Sequence, residues 1–135
     1  TVTVTSADGK TVDSANYDIS YANGRKDAGT YDVKVTFKGN YTGSLTTKFT
    51  IAKANQSLKI KSPKKKMKVG AKAKIKIKAN KGHGKVTYKV SNKKIAKIKK
   101  GKLVAVKKGK VKLTVTLKVT KNYNQKKITI TIKVK

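Results

Sequence analysis

Cysteine, tryptophan and glutamate are all absent, and proline and histidine occur once each, at Pro63 and His83. Without cysteine there is no disulfide framework, no thiolate zinc site and no thiol nucleophile. A lone histidine in an acid-free stretch has no carboxylate to orient it as a general base, and it cannot make a metal site alone. His83, in KGHG, therefore reads as an exposed turn residue. The five acids are Asp8, Asp13, Asp18, Asp27 and Asp32, and none follows. They lack the D-x-D-x-D-G spacing of a calcium loop, so turn and strand-edge roles are expected. There is no G-x-S-x-G and no P-loop. Catalytic residues, cofactor sites and metal sites are all expected to be none, and the chain is not expected to be an enzyme. No run of about 18 apolar residues exists, so membrane insertion is not expected. The opening TVTVTSADGK looks like mid-strand and carries no leader, as in a piece of a longer protein.

Helical period is missing as well. What is present is alternation: Val, Ile, Leu and Thr recur at every second position, which a disordered polar tract would not show. The first part offers Val2–Thr5, Tyr17–Tyr21, Thr30–Gly39 and Ser44–Lys53 as strands, with Ala7-Asp8-Gly9 and an Asn-Gly loop as turns. The second offers Ser57–Lys61, Lys72–Ala79, Lys85–Ser91, Ile95–Lys100, Lys102–Lys108, Lys110–Thr120 and Lys127–Lys135. Strands at roughly 8–12-residue spacing with turns between them argue an all-β sandwich. Tyr31, Phe37, Phe49 and Tyr88 fall in phase with Val and Ile, so they are expected in the core. A sugar-stacking platform is the competing role for these rings.

Charge divides the chain. Residues 1–52 hold six basic and five acidic groups, a net charge of about +1, whereas residues 53–135 hold thirty lysines and no acid. Two units are expected, at residues 1–53 and 54–135. In the second part lysine fills the polar face of the strands. KVGAKAKIKIKAN (Lys68–Asn80) shows it best, with Lys72, Lys74, Lys76 and Lys78 alternating with Ala73, Ile75 and Ile77. Such neighbours lie about 6.6–7 Å apart and repel with no acid to pair with. Lysines can guard strand edges against unwanted pairing. The sharper expectation is a polyanion-binding surface of Lys72, Lys74, Lys76, Lys78, Lys85, Lys89, Lys110, Lys112 and Lys118. All but one of the 36 basic residues are lysine. Lysine suits diffuse attraction better than bidentate readout of bases, so specific nucleic-acid recognition is not expected.

Two stretches carry a family resemblance. Val69-Gly70, VTYKVSNKKIAKI (Val86–Ile98), GKLVAVKKG (Gly101–Gly109) and VKLTVT (Val111–Thr116) follow one another as in the bacterial immunoglobulin-like group 2 family, which the chain resembles over about residues 56–135. Val90-Ser91-Asn92 departs from it by lacking the family's double serine. Asp8-Gly9-Lys10, Tyr17, Tyr21, Asn23, Ala28-Gly29-Thr30, Gly39-Asn40-Tyr41-Thr42-Gly43, Phe49 and Ile51 resemble an Ig-like, MBG-like repeat of Gram-positive surface proteins. Its opening strand is missing here. The resemblances imply tandem immunoglobulin-like β-sandwich modules, the first incomplete. They imply a non-enzymatic spacer or adhesion module of a larger secreted or cell-surface protein, located outside the cell or in its wall. The partners implied are neighbouring modules of the parent chain and an anionic cell-wall polymer or other polyanion. An accessory carbohydrate-binding module of a secreted glycoside hydrolase is the first alternative, and a heparin or nucleic-acid binder the second.

Overall fold

A computed structural model describes residues 1–79 and 82–135. Asn80, the last residue of the lysine-alternating stretch, lies outside the described residues. The chain forms two compact units, Thr1–Ala52 and Lys53–Lys135. Among the described residues there is no α-helix, and the only helical element is a single 3-10 turn at Ser14–Asn16. Asp13 begins that turn by accepting a hydrogen bond from the backbone N–H of Ala15.

The N-terminal unit is an antiparallel meander. β1 (Tyr17–Tyr21), β2 (Gly29–Phe37) and β3 (Ser44–Ile51) pair in chain order. Alternation decides which side of β2 is covered: Val33 and Val35 are buried, while Thr30, Asp32, Lys34 and Thr36 are exposed. Val35 packs with Val4 and Val12 in a small core bordered by Val2, Tyr17, Ile19 and Phe37. The strand expected at Val2–Thr5 does not form. Only Thr5 bridges, to Thr11: the Val12 N–H donates to the Val4 carbonyl and the Ser6 N–H to the Lys10 carbonyl, and the pairing goes no further. Tyr31, Phe37 and Phe49 are half-buried rather than interior. The buried residues of this unit are four small valines, Val4, Val12, Val33 and Val35, which leave too little depth to enclose these rings.

Among the described residues the C-terminal unit holds nine strands. β4 (Leu58–Ser62) pairs with β7 (Lys76–Ala79). β6 (Lys72–Lys74), β10 (Lys102–Ala105) and β9 (Ala96–Lys99) form a second sheet in that spatial order. β5 (Lys66–Met67), β12 (Lys126–Val134), β11 (Gly109–Leu117) and β8 (Val86–Val90) form the third. Among the described residues the strand pairings are antiparallel except β5 with β12.

The single strand expected at Lys72–Ala79 is two. The first half pairs with β10 and the second with β4, and Ile75 between them donates its N–H to the carbonyl of Gly101. One core serves all three sheets. Leu58, Met67, Ile75, Val90, Ala96, Leu103, Ala105, Val111, Leu113, Val115, Leu117, Ile132 and Val134 are its buried members. Leu103, Leu113 and Ile132 have no exposed surface. Burying each such side chain is worth about 1.5–3 kcal/mol, which is what must outweigh repulsion among the lysines outside.

One end of this unit is closed by the chain's own backbone. Ala54 bridges Tyr123 in the loop between β11 and β12. Gln56, buried, donates through its amide to the carbonyls of Asn124 (2.7 Å) and Lys118 (3.3 Å). Lys53 Nζ reaches the Thr120 carbonyl at 2.9 Å.

Candidate functional site

Alternation places the buried residues of β9, β10, β11 and β12 on the shared core and their lysines away from it. All nine lysines expected to bind polyanions are exposed. They do not form one surface. Lys72 and Lys74 belong to the β6-β10-β9 sheet, and Lys76 and Lys78 belong to the β4-β7 pair. Lys89, Lys110 and Lys112 lie on the outer face of the four-stranded sheet, with Lys85 and Lys118 flanking β8 and β11 at one end. Lys118 donates its backbone N–H to the Lys85 carbonyl. Because the core lies between them, the faces carried by β6-β10-β9 and β5-β12-β11-β8 point away from each other.

Register brings together lysines that are far apart in sequence. On the first face Lys102 of β10 lies opposite Lys74 of β6 and also opposite Lys99 of β9, making a row of three. The next row is Lys72, Val104 and Lys97. On the second face Lys133 of β12 lies opposite Lys110 of β11 and Lys66 of β5, a second row of three. Lys59 faces Lys78 across β4 and β7. Residues directly opposite on neighbouring strands have Cβ atoms about 4.5–5.5 Å apart, and like charges there are destabilising. Unit charges held about 5 Å apart in water repel by roughly 0.8 kcal/mol before screening.

Edge protection explains only part of this. Lys72, Lys74, Lys97, Lys99 and Lys66 sit on edge strands, where charge discourages pairing with another sheet. Lys102, Lys110, Lys112 and Lys133 sit on β10, β11 and β12, which have strands on both sides. A lysine there guards no edge.

Sequence reasoning left Lys59, Lys66, Lys97, Lys99, Lys102, Lys127 and Lys133 out of the site. All but Lys66, which lies on a two-residue strand without a readable period, occupy the polar phase of an alternating run, the same signal that selected Lys110 and Lys112. Their juxtaposition needed the pairing register, which no local pattern supplies.

The N-terminal unit treats its charges differently. Lys10 pairs with Asp8 (3.3 Å), Lys38 with Asp18 (2.8 Å) and Lys48 with Asp32 (3.2 Å). Asp32 and Lys48 are directly opposite on β2 and β3. The Ser6 hydroxyl donates to Asp8, and this bond, with Lys10 next in weight, holds the Asp8 carboxyl below the usual carboxylate range.

The aromatic rings of this unit are engaged with one another. Tyr31 and Phe49 are 5.7 Å apart between centroids, and Tyr21 meets Phe49 edge-on at 6.5 Å. Arg25 lies 4.7 Å over the Tyr21 ring. The Tyr31 hydroxyl donates to the carbonyls of Gly24 (2.7 Å) and Asp27 (2.9 Å), tying the β1–β2 loop down. Of these rings Tyr21 is the most open, at 42% exposure. Among the described residues, no three His, Cys, Asp or Glu side chains gather as metal ligands. His83 is exposed between the buried Gly82 and Gly84.

No family model matches the chain, and no curated protein matches it. Among solved structures, domains 4 and 5 of the S-layer protein SbsC are similar to it at 18% identity and a TM-score of 0.41, over 99% of this chain and 80% of that one.

Proposed function

We propose that the chain is a non-enzymatic module of a larger extracellular or cell-surface protein, made of two tandem immunoglobulin-like sandwiches of which the first is incomplete. Its C-terminal unit seats against an anionic polymer of the cell wall or a comparable polyanion. One observation carries the polyanion reading. Lysine lies opposite lysine across the central strands of two sheets, in a unit of thirty lysines without a carboxylate side chain. The opposing charge must come from outside the fold. A phosphate polymer would supply it, releasing its own counterions and relieving the repulsion within each row. The order of motifs in the Val69–Thr116 stretch supports the immunoglobulin-like reading, and the lack of cysteine fits a Gram-positive surface protein. Neither the charge rows nor the turns supply a nucleophile held by a base, so the reading needs no reaction.

The test is binding by the intact chain to a panel of polymers at about physiological salt. Heparin, a polymeric phosphodiester and DNA are expected to bind, with the polymers competing for the same protein. Saturable, salt-insensitive binding to one neutral glycan would contradict the reading and favour a carbohydrate-binding accessory module.

A further inference from the structure

The two lysine faces differ chemically. β6, β9 and β10 contain no serine or threonine, so the first face offers ammonium groups and apolar carbon only. On the second face hydroxyls fill the positions that lysine does not. Crossing from β12 through β11 to β8, one row reads Thr129, Thr114, Lys89, and the next reads Lys127, Thr116, Thr87. Lys112 precedes Thr114 on the same face, opposite Thr131. Lysine thus moves from strand to strand down the sheet, and Lys89, Lys112 and Lys127 stand around a floor of threonines. The floor is a shallow depression of about 710 Å³. Thr87, Thr114 and Thr116 are half-buried in it, and the Thr114 and Thr129 hydroxyls are 2.9 Å apart.

We propose that this depression is a subsite for a polymer of polyol or sugar units joined through phosphates, and that it tells such a polymer from a bare polyphosphate. The inference rests on the polyanion reading above. A hydroxyl both donates and accepts, so a threonine floor can bond the hydroxyls of a polyol while the surrounding ammonium groups meet its phosphates. A bare polyphosphate has no hydroxyl to donate; its oxygens can accept from the threonines, but the ammonium groups of either face satisfy them as well, so it gains little from the floor.

The experiment uses the full chain and two polymers matched in length and charge, poly(glycerol phosphate) and inorganic polyphosphate. Thr87, Thr114 and Thr116 are replaced together by valine, which keeps β-branching and volume while removing the hydroxyl. The triple Thr→Val variant is expected to lose about tenfold in affinity for poly(glycerol phosphate), the worth of one or two hydrogen bonds. Its affinity for polyphosphate should stay within about twofold of the parent. Serine at the same three positions keeps the hydroxyl and should restore most of the polyol binding. Equal losses on both polymers, or no loss on poly(glycerol phosphate), would overturn the subsite while leaving the charge-based reading intact. If the parent chain binds neither polymer at physiological salt, both readings fall together.

Discussion

Lys102 on β10 lies directly opposite Lys74 on β6, with Lys99 opposite it on the other side. In a unit without acidic side chains this central lysine has only like-charged neighbours within its row. Lys102→Gln is therefore expected to stabilise the protein by about 0.5 kcal/mol at low salt. The gain should fade at about 0.5 M salt, where screening shortens the reach of the repulsion. Denaturant melts of parent and variant at two ionic strengths measure it. A variant less stable than its parent at low salt would mean that the Lys102 stem packs against the sheet more usefully than its charge harms it.

Gly84 meets the backbone of the segment after β11. A Cβ built there would sit 2.2 Å from the Lys118 carbonyl oxygen, an atom that also accepts from Gln56. Gly84→Ala is expected to cost about 1–3 kcal/mol, as overpacking against fixed backbone does. Gly101, with open space around its Cβ position but a φ of +71°, should lose less when replaced by Asn, which tolerates the left-handed region. Thermal or denaturant unfolding of the two variants compares them, and equal losses would contradict the contact argument.

Asp8 gives the N-terminal unit a dependence on acid pH. Its carboxyl titrates below the usual range, first because of the Ser6 hydroxyl and then because of Lys10. A folded-state value below the unfolded one stabilises the fold above the unfolded value, and that contribution is lost as pH falls through the folded one. The Ser6–Lys10 turn and its Thr5–Thr11 bridge should loosen in that acid window. Carboxyl NMR titration follows it directly. Ser6→Ala should move the Asp8 midpoint up toward the free value of about 3.9, and an unmoved midpoint would contradict the assigned cause.

Much of this fold is legible in the alternation. Tyr17–Tyr21 is a strand over the same five residues that the pattern marks, and Lys85–Ser91 loses only one residue at each end. The failures share a physical cause, since a strand exists only where a partner lies beside it. Val2–Thr5 alternates as well as any segment, yet only Thr5 finds a bridge. Lys72–Ala79 alternates without a flaw through Ile75, where the chain changes from β10 to β4. Lys66–Met67, two residues long, carries no period at all. The candidate site followed the same rule. Outward lysines were readable one strand at a time, whereas the meeting of Lys66, Lys133 and Lys110 depends on register between segments more than 20 residues apart in the chain.

The central claim is that rows of lysine supply most of the attraction that holds the polyanion. Its most direct test is the salt dependence of polyanion binding by the full chain, before and after both rows are neutralised. Lys74, Lys99 and Lys102 are changed to Gln in one variant, and Lys66, Lys110 and Lys133 in another. The parent should show a steep fall of log affinity with log salt. Each variant should show a shallower one, by roughly 0.7–0.9 for every phosphate that its lysines no longer neutralise, with its fold intact. An unchanged slope in both variants, or tight binding that survives at about 1 M salt, would contradict the account.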